Sequence, residues 1–375
     1  MAVPMKESVA PSRDLTITAL DYSSLAGWDD EGHGAAFRAF RRGASVLSRH
    51  PPKSHSVDAV ALATILKRAN ALPADLPDNH ARAFFEAEFA PYEIVSDGGT
   101  GFFTGYYEPI VAGSRIRTDR FATPLYRVPD DLVAFDPASP PPGLDPALRF
   151  ARQTDKGPVA YFDRDEIEAG ALAGRGLELV FVADPVDAFF MHIQGAARID
   201  LAEGGTMRVS YAAKSGHAYT PIGRVLIEMG ALEAGKATMD AIRQWLAANP
   251  DTAAVVMRQN RSFIFFREAP VENPQLGPIA AAKVPLADGR SLAVDRLLHT
   301  FHCPVWVETS LPDGKSFRRL MIAQDTGSAI VGPARGDIFF GSGAAAGTIA
   351  GSMASKGRFV LLAPRGSRPN VNPQR

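Results

Sequence analysis

Residues 321–341 read Met321-Ile-Ala-Gln-Asp-Thr-Gly-Ser-Ala-Ile-Val-Gly-Pro-Ala-Arg-Gly-Asp-Ile-Phe-Phe-Gly341. The stretch sets two carboxylates, Asp325 and Asp337, in strand-and-turn context. Arg318–Ala323 and Gly336–Phe340 read as its strands. Around them Ser262–Phe266, Ser291–Val294, Pro304–Thr309 and Arg358–Leu362 carry the same character, and only the Ala/Gly-rich segment Ala344–Ser355 reads as helical. Several short strands with irregular connections favour a small barrel over a parallel doubly wound sheet.

Upstream the periodicity changes. Ala35–Leu47 (Phe37, Phe40, Val46, Leu47), Val57–Ala71 (Val57, Val60, Leu62, Ile65, Leu66) and Asn79–Phe89 (Phe84, Phe85, Phe89) carry apolar stripes at helical spacing, and core packing is their plain reading. The first thirty residues read as loop. Strands are expected at Tyr92–Ser96, and again from Phe102 after the break at Gly98-Gly-Thr-Gly101. The prolines of 137–143 mark an exposed loop. Leu177–Val182, Ala188–Ile199 and Met207–Tyr211 read as strands, with Glu203-Gly-Gly205 as a hairpin turn. Two helices follow: Ile222–Met229, with Thr220 as cap and Pro221 as first residue, and Thr238–Ala248.

The chain has 375 residues, 46% hydrophobic and 22% charged, which is a globular balance. One core rarely grows beyond about 250–300 residues, so two domains are expected. A net charge of −1 argues against nucleic acid as a partner. The lone cysteine, Cys303, excludes an internal disulfide and a cysteine-rich zinc module. Met1-Ala-Val-Pro-Met-Lys-Glu-Ser8 holds no apolar run of the kind a signal peptide needs, and no cysteine nearby could carry a lipid.

On a strand, Asp337 shares a face with Phe339, with Ile338 and Phe340 opposite. A carboxyl beside apolar surface has a raised pKa, as a glycosidase-type general acid requires. The plain alternative is that Asp325 caps the turn at Thr326-Gly327 and Asp337 bonds backbone amides. Pattern alone leaves both open.

The wider chain resembles the membrane-bound lytic transglycosylase A (MltA) family, including its C-terminal three-aspartate domain. The resemblance rests on blocks in family order: Thr104-Gly-Tyr-Tyr-Glu-Pro109, Pro124-Leu-Tyr-Arg-Val-Pro129, His192-Ile-Gln-Gly-Ala196, Tyr211-Ala-Ala-Lys-Ser-Gly-His-Ala-Tyr-Thr-Pro-Ile-Gly223, Asn260-Arg-Ser-Phe-Ile-Phe-Phe266, Leu292-Ala-Val-Asp-Arg296, Asp325-Thr-Gly-Ser-Ala-Ile330 and Gly336-Asp-Ile-Phe-Phe-Gly-Ser-Gly343. It departs from the family at His299-Thr-Phe-His-Cys-Pro-Val-Trp306, where a Pro-x-Gly turn is usual, and at Ser328, where glycine is usual.

The resemblance implies a mainly β fold with N-terminal helices. It comprises a double-psi β-barrel domain (1–106 and 252–375), an inserted smaller β-rich domain (107–251), and a groove between them for glycan. It implies cleavage of peptidoglycan to 1,6-anhydro-muramic acid ends, with Asp337 as acid and base, Asp325 supporting it by hydrogen bond or like charge, and Asp295 structural. Thr104, Gly105, Tyr106, Tyr107, Gln194, Lys214, His217 and Tyr219 are the expected substrate-binding residues. Peptidoglycan glycan strands are the expected partner, periplasmic or outer-membrane residence follows from the resemblance, and a monomer is the default.

Rival readings are weaker. An aspartic protease needs two Asp-Thr-Gly motifs, and this chain has one. Gly341-Ser-Gly-Ala-Ala-Ala-Gly347 lacks the βαβ unit and downstream acid of a dinucleotide site, so no nucleotide cofactor is expected. His299-Thr-Phe-His-Cys303 lacks a fourth ligand, and no metal is expected. The remaining alternatives are a non-catalytic, expansin-like glycan-binding protein and a hydrolase using Asp325 as second carboxylate.

Overall fold

The computed structural model describes residues 15–96, 99–136, 139, 141–145 and 148–371. In chain order the elements begin with β1 (Thr16–Ala19), α1 (His33–Arg41), α2 (Ala59–Ala71), α3 (Asp78–Glu88), β2 (Phe89–Val95) and β3 (Gly101–Glu108). Then come β4 (Ile110–Ser114), β5 (Thr123–Tyr126), β6 (Leu132–Ala134), β7 (Phe150–Thr154), β8 (Gly157–Val159), a single turn α4 (Arg164–Glu166), β9 (Glu178–Val182), α5 (Pro185–Gln194), β10 (Ala196–Leu201) and β11 (Thr206–Lys214). The chain continues with α6 (Ile222–Glu228), α7 (Met239–Ala248), α8 (Pro250–Arg258) and β12 (Ile264–Ala269). The last elements are β13 (Ser291–Val294), β14 (Pro304–Ser310), β15 (Ser316–Asp325), β16 (Arg335–Ser342), α9 (Ala344–Ser352) and β17 (Ala354–Pro364).

Two compact units divide the chain. The first comprises Met1–Tyr107, Gln275–Gly341 and Ser352–Arg375. Its sheet runs β1-β2-β17-β14-β15-β13-β16-β3, and β17 pairs with β3 as well, so six of the strands close on themselves as a barrel. β13 runs parallel to β15 and antiparallel to β16. β17 can serve β2, β14 and β3 because it turns a corner at Gly357, which pairs with Gly101 of β3. A Cβ on Gly357 would lie 2.2 Å from the Glu308 carbonyl oxygen, so no side chain fits at the crossing.

The barrel interior holds Leu292, Val305, Met321, Ala323, Ile338 and Leu361, all fully buried. The N-terminal helices pack against the same core through edge-to-face phenylalanines, among them Phe37 on Phe84 (5.1 Å) and Phe40 on Phe89 (5.7 Å). The expected stripes are therefore core, except Val60, which lies in the first turn of α2 and is 74% exposed. The loop expected over the first thirty residues contains β1, which pairs with β2; residues 1–14 lie outside the described residues, as do Gly98, Pro137 and Pro140 of the expected breaks.

The second unit comprises Glu108–Pro274 and Ser342–Gly351. Its six-stranded sheet runs β12-β11-β10-β4-β9-β5, an isolated bridge from Arg127 to Phe266 joins its edges, and β6-β7-β8 form a separate meander. The unit runs past residue 251, the limit expected from sequence, because β12 pairs with β11. The expected hairpin between β10 and β11 turns at Gly204 and Gly205, both of which stand at positive φ.

One expected strand is largely helix. Pro185–Gln194 forms α5, capped by the Asp184 carboxylate on the Val186 N–H (2.8 Å) and stopped by Gly195 at φ 75°. Asp-Pro before the run and Gly after it are the helix signals that outweigh its β-rich composition. Pro221 itself stands at the cap of α6, while the Thr220 N–H donates to the Asn260 side chain. The helix α8 was not expected from sequence.

Candidate active site

Four barrel strands and one loop build the site within the first unit. On β3 the side chains alternate: Phe103 is buried in the core, while Phe102, Thr104 and Tyr106 take the opposite face. On β16, Ile338 enters the core, and Phe339 joins a separate small cluster with Ala280, Leu286 and Tyr106. Asp337 shares the Phe339 face, as its alternation requires.

Ala293 of β13 stands opposite Asp337 on one side and opposite Asp325 of β15 on the other. The two carboxylates therefore flank one methyl group, with backbones roughly 10 Å apart at two strand spacings. Asp325 reaches this position through a bulge: the β13–β15 register shifts between Leu292 and Ala293, so Asp325, rather than Gln324, pairs with Ala293. Strict alternation would aim Asp325 at the barrel interior; the extra residue returns it to the face of Asp337. Gln324 is fully buried and satisfied, accepting from the Ser291 hydroxyl (2.6 Å) and donating to the Ala39 carbonyl of α1 (2.9 Å).

The polar contacts are specific. Asp337 Oδ1 takes a short hydrogen bond with the Thr104 hydroxyl. Asp325 accepts from the Tyr106 hydroxyl (3.0 Å) and, on its other oxygen, from the Ala281 N–H (3.2 Å). The Arg335 guanidinium donates to Thr104 Oγ1 at 2.6 Å.

Both carboxyls are half-buried. Burial raises the Asp337 pKa to about 6; the Thr104 hydrogen bond and the Arg335 charge oppose that rise, and the Asp325 charge adds the smallest contribution. Burial also raises Asp325, against hydrogen bonds from Thr326, Ala281 and Tyr106. The Tyr106 phenol is held well above its ordinary value, first by burial and then by the two carboxylates, so it remains a donor. Such a face can hold a proton on a carboxyl beside apolar surface and return it.

Of the residues expected from sequence, Asp337, Asp325, Thr104 and Tyr106 come together here, with Gly105 between Thr104 and Tyr106 on β3. Tyr107 is buried. Asp295, just past β13, accepts from the Leu297 N–H (3.0 Å) and the Gly332 N–H (2.9 Å). Gln194, Lys214, His217 and Tyr219 belong to the second unit. There Gln194 ends α5, Lys214 ends β11, Tyr219 is 37% exposed, and His217 is buried with Nε2 2.7 Å from the Tyr161 carbonyl oxygen.

The contributions of Arg335, Ala281 and Ala293 were not anticipated. Arg335 was within reach of sequence reasoning, since it stands two residues before Asp337 on the same strand face. His299 Nε2 lies 2.8 Å from the Pro333 carbonyl oxygen and Cys303 donates to the Leu362 carbonyl (3.2 Å), so these two do not converge on a common point. Among the described residues no cluster of His, Cys, Asp and Glu could hold a metal ion, and no helix is long and apolar enough to cross a membrane.

Comparison with known proteins matches residues 102–267 to the MltA specific insert domain and residues 290–363 to the 3D domain. The chain is 33% identical over 290 residues to membrane-bound lytic murein transglycosylase A of Escherichia coli K12, covering 74% of this chain and 70% of that one. The crystal structure of a membrane-bound lytic murein transglycosylase from Agrobacterium tumefaciens is similar, with 42% identity and a TM-score of 0.86 over 93% of this chain and 98% of that one. The structure of E. coli MltA with bound chitohexaose matches at 26% identity and a TM-score of 0.65, covering 94% of this chain and 92% of that one.

Proposed function

This chain belongs to the membrane-bound lytic murein transglycosylase A family, and on that premise we propose that it is a peptidoglycan lytic transglycosylase with Asp337 as its single acid and base. The observation that carries the reading is a half-buried carboxyl with a pKa raised to about 6, hydrogen-bonded to the Thr104 hydroxyl on the strand face it shares with Phe339. A group poised there can both give and take a proton near neutral pH.

Asp337 protonates the oxygen joining C1 of N-acetylmuramic acid to N-acetylglucosamine. The C1–O bond breaks and the glucosamine leaves as an alcohol. The Asp337 carboxylate then takes the proton from the C6 hydroxyl of the same muramic ring as O6 bonds to C1. The product is a 1,6-anhydro ring, the acid is regenerated, and no water is consumed. The nucleophile is tethered to the reacting carbon, so a second carboxylate is unnecessary. The engagement of both Asp325 oxygens by Tyr106 and Ala281 supports that division of labour over a two-carboxylate hydrolase.

In this reading Asp325, through Tyr106, sets the surroundings of Asp337, and Asp295 holds the turn after β13. The barrel unit carries the chemistry. Gln194, Lys214 and Tyr219 offer sugar contacts on the second unit, and the burial of Tyr107 and His217 favours packing roles for both. The substrate lies outside the cytoplasm and the relatives are named membrane-bound, which supports residence at the periplasmic side of the outer membrane. There the chain acts as a monomer on glycan strands.

Mass spectrometry of the soluble products from purified sacculi tests the reading. Products ending in 1,6-anhydro-muramic acid are expected. Reducing ends would make the protein a hydrolase, and binding without soluble product would make it a wall-binding protein.

A further inference from the structure

Arg335 and Asp337 share one face of β16, separated by Gly336. The guanidinium is held on several sides. Nη2 donates to Thr104 Oγ1 at 2.6 Å, Nη1 donates to the Gly336 carbonyl and to the Phe102 carbonyl at 3.4 Å, and the group lies over the Phe102 ring with Cζ 5.2 Å from its centroid. Arginine has donors only. The Thr104 oxygen that accepts from it also touches Asp337 Oδ1, and the single hydroxyl proton is left to point at the carboxyl. A relay thus runs from Arg335 on β16, through Thr104 on β3, back to Asp337 on β16.

We propose that Arg335 is a positioning residue for the acid–base step, acting through Thr104 to orient Asp337 and keep it a competent acid. The inference rests on the assignment of Asp337 made above. Burial by itself would make the carboxyl a reluctant proton donor, and the Thr104 bond with the Arg335 charge opposes this. The other groups around Asp337 do not substitute for the relay. Tyr106 on β3 donates to Asp325, Asp325 on β15 repels the ionised form of Asp337, and β13 presents only the methyl of Ala293.

The test uses the whole chain and four variants: Arg335→Met, Arg335→Lys, Thr104→Val and the Arg335→Met/Thr104→Val double. The rate of anhydro-product release from soluble glycan strands is followed over about pH 4–9. Arg335→Met is expected to lower kcat about tenfold or more, with KM within about twofold, and to move the basic limb upward by about one pH unit. Arg335→Lys should keep the limb within about half a unit, because the charge remains, yet lose rate because an ammonium cannot form the fork. In the Thr104→Val background, Arg335→Met should change kcat by less than about twofold.

A purely structural arginine would lower the amount of folded enzyme and leave the pH limb in place. An unmoved limb in Arg335→Met, or fully additive losses in the double variant, would overturn the proposal; should Arg335→Met fail to fold, the lysine variant and the Thr104 comparison still decide it. Asp337→Asn separates the two readings. If it cuts normally, the assignment of Asp337 fails; if it is dead while the Arg335 variants behave as wild type, only the relay fails.

Discussion

A carboxyl that is harder to ionise in the folded protein than in the unfolded chain opposes folding at neutral pH. Asp337 is such a group, with a folded pKa of about 6 against an ordinary value of 3.8. Its contribution to stability is complete below about pH 4 and is lost as pH rises through 6, a difference of roughly 2–3 kcal/mol at pH 7. Asp337→Asn should therefore be more stable than wild type by about that amount at pH 7, with the gain vanishing near pH 3.8, as read from denaturant midpoints. The same variant should lose about 10²–10⁴-fold in cutting while still binding glycan, and the wild-type rate should fall as pH rises through about 6. Asp325→Asn, which keeps an acceptor for Tyr106, should cut more than Asp337→Asn does. At this scale the two aspartates and the Phe339 face were readable from sequence, since alternation is a local property of a strand. The Ala281 N–H on Asp325 was not readable, because it comes from a loop 44 residues away in sequence.

Single elements carry their own devices. The bulge on β15 decides that Asp325 joins Asp337 instead of entering the core, and nothing in Ala-Gln-Asp-Thr announces it; the shift arises only when β15 is paired with β13. In α5 the origin is the opposite: the deciding signals are local, Asp184-Pro185 at the start and Gly195 at the end, and they override a β-rich composition. β17 depends on the closeness of Gly357 to Glu308. Gly357→Ala would place a methyl against a backbone carbonyl that cannot yield without opening the β14–β17 ladder. A loss of about 3 kcal/mol or more is expected in denaturant unfolding, and a change within about 0.5 kcal/mol would show that the corner is not tight.

Over the whole molecule, buried histidines set the acid limit. Burial lowers His299 and His302 to about 4, while the unfolded rings titrate near 6.5. For these groups stability is complete above about pH 6.5 and drains away as pH falls toward 4, by roughly 3 kcal/mol each, because the unfolded chain takes up protons that the folded one refuses. Asp337 runs against this trend over the same window. The wild-type midpoint should therefore fall on acidification from pH 6.5 to 4, and the fall should be steeper in Asp337→Asn; a flat profile would mean that the histidine sites open to water.

The strand-rich character of the chain, its N-terminal helical stripes, the glycine hairpin and the candidate acid were determined by the sequence itself, because each depends on side chains within a few positions of one another. The tertiary structure alone decided the closure of six strands into a barrel, the bulge that turns Asp325, and the Thr104–Asp337 bond across 233 residues of chain. Those depend on strand register, which is settled only when every strand has buried its apolar face against the others.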